Sequence, residues 1–222
     1  MTADLMLVAE KSDEIARALG LTILMWLVGS LGALLLGFVV TILRRYGPRP
    51  VDFVLMLYVE LMRGTPFLIQ LFLLYFGGPY IGLSLDPVPA GLLGLSVYGA
   101  AYFSEIFRAG FDAVPKGHIE AAECAGLTRL QIVRRILLPE MTMLVLPALI
   151  NMMIILLKET AVLSLITVQE LTMVIGVIGS QNYAFMTAMA LLAVFYWGLV
   201  ELSGFIGHIA ENRLARFRFA YS

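Results

Sequence analysis

Residues 115–139, PKGHIEAAECAGLTRLQIVRRILLP, decide how the rest of the chain is read. They form the longest polar passage in an otherwise apolar chain, carrying Lys116, Glu120, Glu123, Arg129, Arg134 and Arg135. An apolar run of membrane-spanning length lies on each side. Pro115 lacks an N–H and restricts the residue before it, so it stops the preceding helix. Residues 118–125 are good helix formers around Ala121 and Ala122. Gly126 stands where a helix C-terminus takes positive φ at no steric cost. Thr128 followed by Gln131 is a capping box, which predicts a second helix. Pro139 then kinks that helix or lets it leave the surface at an angle. The passage therefore reads as two short helices with a forced corner, joining two spans.

The composition supports such spans. The 222 residues are 60% hydrophobic and 14% charged, with a mean hydropathy of +0.91. A water-soluble fold could not cover that much apolar surface, so the class is an all-α integral membrane protein. The length suits one domain, residues 1–222. Cys124 is the single cysteine, which excludes an internal disulfide framework and a thiolate metal site, and we read it as a small packing residue. His118 and His208 have no companions at ligand spacing, so no metal is inferred. The pattern G-x-x-x-x-G-K-[ST] is missing, so the chain is not expected to hold ATP in a P-loop, or any other cofactor. Asp4, Glu10, Asp13 and Glu14 set against Lys11 and Arg17 give the wrong charge sign for a signal-peptide n-region.

Five spans are expected. The first is Ile23 to Ile42, long enough at about 1.5 Å per residue to cross a hydrocarbon core of about 30 Å. Gly29, Ala33 and Gly37 recur on one of its faces and let another helix approach closely, and we assign that helix to the same chain rather than to a dimer partner. Residues 51–80 are apolar but broken by Glu60, Arg63, Gly64, Thr65 and Pro66. Either one long helix is kinked there, or 51–62 lies in the interface and 66–80 spans; we prefer the kinked, extended helix, with Glu60 and Arg63 reaching water. The third span runs from about Ala90 to Phe111, with Glu105 and Arg108 three apart on one face and able to pair. A charge at the bilayer centre costs about 2.5–3.5 kcal/mol, so these two lie low in the span or face the bundle. Residues 132–158 form the fourth span, with Pro139 and Pro147 as kink sites, and Phe185 to Ile206 form the fifth.

Charge decides whether residues 161–180 add a sixth. With the N-terminus outside and five spans, twelve of the fifteen Lys and Arg residues fall inside, leaving Lys11, Arg17 and Lys158 outside. A crossing by 161–180 would carry Arg213, Arg216 and Arg218 outside, against the positive-inside rule. The segment is therefore expected to be re-entrant or buried in the bundle, where protein or a wet cavity tolerates irregular backbone.

The pattern Glu120-Ala121-Ala122, three residues, Gly126, nine residues, Ile136, one residue, Leu138-Pro139 resembles the coupling-loop signature of ABC transporter permeases. The resemblance extends to Tyr58-Val59-Glu60, Arg63-Gly64-Thr65-Pro66, Ala100-Ala101-Tyr102, Glu105 with Arg108, Lys158-Glu159-Thr160 and Glu170-Leu171, and is closest to the polar amino acid uptake branch, the histidine, glutamine and arginine permeases. It implies a type I importer permease with a coupling loop at about 115–131, in a bacterial inner membrane, with a cytoplasmic C-terminus. It also implies a second permease subunit, identical or paralogous, two ABC ATPase subunits holding ATP-Mg, and a periplasmic solute-binding protein. The chain itself is then no enzyme. Three positions depart from the family pattern: Gly117-His118 replaces Gly-Gln, Glu140-Met141 follows Leu138-Pro139 in place of Gln-Ala, and Lys158-Glu159-Thr160-Ala161 replaces Lys-Asp-Thr-Ser.

The resemblance places ATPase coupling on Gly117, Glu120, Ala121, Ala122, Gly126, Leu138 and Pro139. Gly126 would make the corner, Ala121 and Ala122 would keep one face thin, and Glu120 would offer a carboxylate to a basic group or to the helix dipole. Intramembrane ionisable groups are functional candidates by default, which puts Glu159 and Glu170 on the substrate path, with Lys158 and Thr160 beside them. Arg63, Glu105 and Arg108 form the interface set. Two other classes compete: an autonomous channel or secondary carrier, and a membrane scaffold that recruits a cytoplasmic protein. Co-purification with an ATPase separates the first of these from the importer, and ATP-dependent uptake separates the second. Nothing in the chain resembles the internal repeat of many secondary carriers.

Overall fold

A computed structural model describes the backbone of residues 10–219 and the side chains as far as Arg213. Asp4 and the side chains of Arg216 and Arg218, used above in reading charge, lie outside the described residues. The regular elements among those residues are all helical: α1 (Ser12–Tyr46), α2 (Arg49–Gly64), α3 (Phe67–Phe72), α4 (Pro87–Ala113), α5 (Lys116–Cys124), α6 (Arg129–Ile132), α7 (Leu138–Glu159), α8 (Leu171–Gln181) and α9 (Phe185–Phe219), with short π and 3-10 turns between some of them. Four stretches are long and apolar enough to cross a membrane, and a fifth is reached if the bent α2–α3 pair is one span.

Helices α1 and α4 form the centre. Ala33 is fully buried, and a Cβ added at Gly99 would lie only 2.7 Å from the Ala33 Cβ. A Cβ at Gly37 would lie 2.7 Å from that of Phe103 and 2.9 Å from the Ala100 carbonyl oxygen. The small-residue stripe of α1 is thus consumed inside the chain, as expected, and lets the backbones approach as small residues do in lipid. Thr41 Oγ1 lies 2.9 Å from the carbonyl oxygens of both Gly37 and Ser104, adding a hydroxyl contact between the two helices. Phe38 and Phe107 meet edge to face at 5.4 Å. Helix α7 also packs on α4, its Leu156 meeting the same Gly99 position as Ala33.

The α2–α3 connection departs from expectation. It is no gentle kink in an extended helix: the two axes differ by 111°. Thr65 sits at φ −124°, ψ 147° and Pro66 at φ −63°, ψ 140°, so two consecutive residues are extended. The proline ring bars Thr65 from the helical region, and Pro66 has no N–H to continue the ladder. The Gln70 side-chain amide crosses the corner, donating to the Met62 carbonyl at 2.8 Å and the Thr65 carbonyl at 3.0 Å, which pairs carbonyls stranded at the end of α2.

Residues 161–180 do not make a spanning helix. A 3-10 turn, Thr160–Ile166, leads through Thr167 at φ 65° into the eleven-residue α8. That helix is about 16 Å long, half of what a crossing needs. Leu163, Ile166, Val168, Leu171 and Ile175 are all buried, so the segment is lodged in the bundle. Helix α9 instead turns Val194, Trp197, Phe205 and Ile206 outward, the apolar exterior that a bilayer requires.

Candidate functional site

The elbow between α4 and α7 is built by local rules. Helix α4 ends at Ala113, Val114 is extended, and Pro115 is the N-cap residue of α5. At the other end Gly126 takes φ 77°. The Leu127 amide donates to the Ala122 carbonyl at 3.1 Å and the Gly126 amide to the Glu123 carbonyl at 3.0 Å, the paired bonds of a Schellman corner. A Cβ at Gly126 would meet nothing within 4 Å, so its requirement for glycine is conformational and not one of space. Thr128 and Gln131 form the expected capping box, the Thr128 amide donating to Gln131 Oε1 at 2.8 Å.

Pro139 introduces no abrupt break. The turn before it, Val133–Leu137, is π-helical, and the Leu138 amide reaches back five residues to the Val133 carbonyl. A π turn is a known way for a helix to absorb an interruption in its ladder. Leu138 packs against the core, while Pro139 is exposed.

The elbow has an inner and an outer face. Ile119 and Ala122 turn inward, and Ala122 is buried against its own chain. Gly117, Glu120, Ala121, Glu123 and Cys124 are exposed. Two expectations are corrected here. Ala122 does not thin the outward face, which is left to Ala121, and Cys124 is an exposed free thiol rather than a packing residue. The nine-residue helix is the cause: 3.6 residues per turn bring 119 and 122 to one side and 117, 120, 121 and 124 to the other. A further link escaped sequence reasoning. His118 Nδ1 lies 2.9 Å from Glu140 Oε2 and joins α5 to α7.

At the same end of the bundle, Glu105 gathers three arginines. Its Oε1 accepts from Arg44 Nη1 at 2.6 Å, and its Oε2 accepts from Arg108 Nε at 3.0 Å and Nη2 at 2.9 Å. Arg63 Nη1 lies 3.8 Å from Oε2, and its guanidinium sits 5.7 Å from the Tyr102 ring centroid. Arg44 also approaches Asp52 at 3.5 Å, and Arg108 and Arg45 contact Asp112 at 3.2 and 3.0 Å. The Glu105–Arg108 pair was legible from its spacing of three and Arg63 was grouped with it; Arg44, from α1, was not foreseen.

The four residues named for the path are split by the fold. Lys158 is exposed and Glu159 half-buried at the far end of α7 from the elbow. Thr160 is fully buried and donates to the Leu157 carbonyl at 2.7 Å. Glu170 is also fully buried and acts as the N-cap of α8. It accepts from the amides of Thr172 at 2.9 Å and Met173 at 2.8 Å and from the Tyr196 hydroxyl at 3.1 Å. The remaining amide at that helix start, Leu171, donates to Thr22 Oγ1 at 3.0 Å. These bonds tie α8 to α9, and the Thr22–Leu171 bond adds α1.

Residues 29–216 match the family described as binding-protein-dependent transport system inner membrane component. The chain is 34% identical over 211 residues to the probable amino-acid ABC transporter permease protein YckA of Bacillus subtilis strain 168, covering 95% of this chain and 93% of that one. It is 34% identical over 207 residues to the L-cystine transport system permease protein TcyB of the same organism, covering 93% and 87%. Its fold is similar to a chain in the crystal structure of an amino acid ABC transporter with histidines, with a TM-score of 0.87, 29% identity, and coverage of 93% and 96%.

Proposed function

Because the chain belongs to the family of binding-protein-dependent transport system inner membrane components, we propose that it is the membrane-spanning permease subunit of an ATP-driven importer that moves a polar amino acid inward. The observation that carries this reading is the α5 elbow, a short helix held between two spanning segments with an open outer face. ATP-Mg binds and is hydrolysed on separate ABC ATPase subunits, and a second permease subunit and a periplasmic solute-binding protein complete the assembly. The elbow end lies in the cytoplasm of a bacterial inner membrane, with the N-terminus outside. That orientation is supported by the positive-inside rule, since Arg44, Arg45, Arg49, Lys116, Arg129, Arg134 and Arg135 cluster at this end.

The outer face of α5, with Gly117, Glu120 and Ala121, seats in a groove of an ATPase subunit, and the Gly126 corner fixes its angle. Closure of the ATPase pair moves α5. The Ile119 and Ala122 contacts inward, the His118–Glu140 link and the continuous run through Leu138 and Pro139 pass that motion to α7. Lys158 and Glu159, at the opposite end of α7, are the solvent-reachable groups of the path, and Thr160 and Glu170 stand behind them as positioning groups.

Ala121→Trp tests the docking. The position is exposed, so the chain should insert and fold as before, while co-purification of the ATPase subunit and binding-protein-stimulated ATP hydrolysis are lost. Unchanged hydrolysis would remove the elbow from the mechanism. Amino acid uptake by the purified chain alone, without ATP, would replace the importer with a secondary carrier.

A further inference from the structure

Two helices that cross a membrane side by side meet in steady order. Helix α3 does so on α4: Phe67 lies against Tyr98 and Leu71 against Gly94, so it climbs away from the elbow. Helix α2 does not. Asp52 meets Arg44, which is bonded to Glu105. Tyr58 then donates to the Val97 carbonyl, eight residues nearer the start of α4. Arg63, further along α2, returns to Tyr102 and to its ion pair with Glu105. Asp52 and Arg63 are eleven residues apart, about three turns, so they share one edge of α2, while Tyr58 stands at least about a third of a turn round from it. One edge thus faces the elbow end of α4 and another faces the far end. A helix placed so runs across its neighbour, which agrees with the 111° bend into α3. On the elbow side a polar cavity of about 280 Å³ lies among Arg44, Arg45, Asp52, Arg108 and Asp112.

The third side of α2 is apolar and open. Phe53, Val54, Leu57 and Leu61 follow one another round an arc turned away from the buried Val59, and each is more than half exposed. Arg49 and Glu60 lie between this stripe and the Asp52–Arg63 edge. A helix with an apolar stripe and a charged edge, both parallel to its axis, matches a boundary between hydrocarbon and water that also runs along it. The surface beside it is of the same kind: Val39 and Leu43 of α1 are exposed next to Arg44, and the exposed Tyr46 closes α1 as the aromatic residues of a membrane boundary do. We propose that α2 lies flat in the leaflet on the elbow side of the membrane, with Phe53, Val54, Leu57 and Leu61 among the lipid acyl chains and Arg49, Asp52, Glu60 and Arg63 at headgroup level. Phe67–Ile81 then makes the crossing alone, a short one of about 22 Å that a bilayer meets by local thinning. The placement does not depend on the importer reading, since a carrier built from this chain would hold α2 in the same way.

The test uses the full chain in vesicles of phosphatidylethanolamine and phosphatidylglycerol, in a Cys124→Ser background. A nitroxide is attached to Val54→Cys or to Leu61→Cys, two exposed positions seven residues apart on one face. Depth is read from collision with dissolved oxygen against collision with a water-soluble nickel chelate. A helix rising through the bilayer would separate the two labels by about 10 Å, at about 1.5 Å per residue. The flat helix gives less than half of that, with both labels meeting oxygen more often than the chelate. Phe53→Cys and Gly64→Cys, eleven residues apart on the same face, repeat the measurement against a full separation of about 16 Å. A Cβ at Gly64 meets nothing within 4 Å, so this second pair stands if the first fails to fold. More than half of the full separation in either pair overturns the proposal. Labels that favour the chelate put the stripe in water and overturn it as well. So do labels shielded from both reagents and released when a single chain occupies a nanodisc, which would make the stripe an interface with another protein chain.

Discussion

His118 Nδ1 lies 2.9 Å from Glu140 Oε2, and this contact fastens the elbow helix to the membrane helix that follows it. The two residues are 22 apart, on either side of the Gly126 corner and the π turn. Both are partly exposed, so the pair adds at most about 1 kcal/mol to stability. Its effect belongs to coupling. His118→Ala and Glu140→Ala should each leave melting temperature nearly unchanged and raise the ATP consumed per solute moved. The double variant should be no worse than either single one. Additive losses in a double-mutant cycle would show that the residues act independently.

The corner itself depends on φ. A non-glycine residue in the left-handed region costs about 1–2 kcal/mol, and asparagine tolerates that region better than a β-branched residue. With nothing within 4 Å of its missing Cβ, Gly126 should accept asparagine with most activity retained, whereas Gly126→Val should lose binding-protein-stimulated ATP hydrolysis. Equal activity in both variants would mean that the corner need not stay closed.

Glu170 should behave as a structural group. Its carboxylate accepts two amides and a hydroxyl in a fully buried position. Loss of an N-cap costs about 1 kcal/mol, and buried donors left without an acceptor cost about 1–3 kcal/mol more. Glu170→Ala should therefore lower the melting temperature and yield of the assembled complex, with substrate affinity of the surviving fraction unchanged. Weakened affinity at full stability would put Glu170 on the path directly.

The α1–α4 contact permits a sharper test of packing. A Cβ at Gly99 would crowd Ala33 and come within 2.9 Å of Leu156 Cδ1. Forcing a larger side chain into such a contact costs about 1–3 kcal/mol. Gly99→Val should destabilise the chain in thermal unfolding. Gly117→Val, at an exposed position with nothing within 4 Å, should change stability far less.

Much of this was readable without coordinates because the signals are local. Pro115, Gly126 and the Thr128–Gln131 box act within a few residues of themselves, and the spans follow from length and hydropathy. The small stripe Gly29, Ala33, Gly37 found its partner within the chain because α4 offers Gly99 and Ala100 at matching positions. What escaped depends on distance in sequence. Thr65-Pro66 announces a break but not its 111° angle, which follows from both residues being extended. Glu170 was placed on the path as an intramembrane ionisable group; its role as the N-cap of α8 was not foreseen, because glutamate is not a favoured N-cap and its partner Tyr196 is 26 residues away. Ala122 and Cys124 were misread because the helical period puts 119 and 122 on one side of α5 and 121 and 124 on the other, and only the contact with the core shows which side turns inward. Arg63 was grouped with Glu105 and Arg108, but the arrival of Arg44 from α1 at the same carboxylate is visible only in three dimensions.

The native thiol supplies the most direct measurement. Cys124 is the chain's only cysteine and is exposed on α5 beside the corner. A membrane-impermeant maleimide should label it in inside-out vesicles stripped of the ATPase subunit, and readdition of that subunit should block the reaction. Labelling in right-side-out vesicles, or labelling that the ATPase subunit leaves untouched, would contradict a cytoplasmic elbow seated in a nucleotide-driven partner.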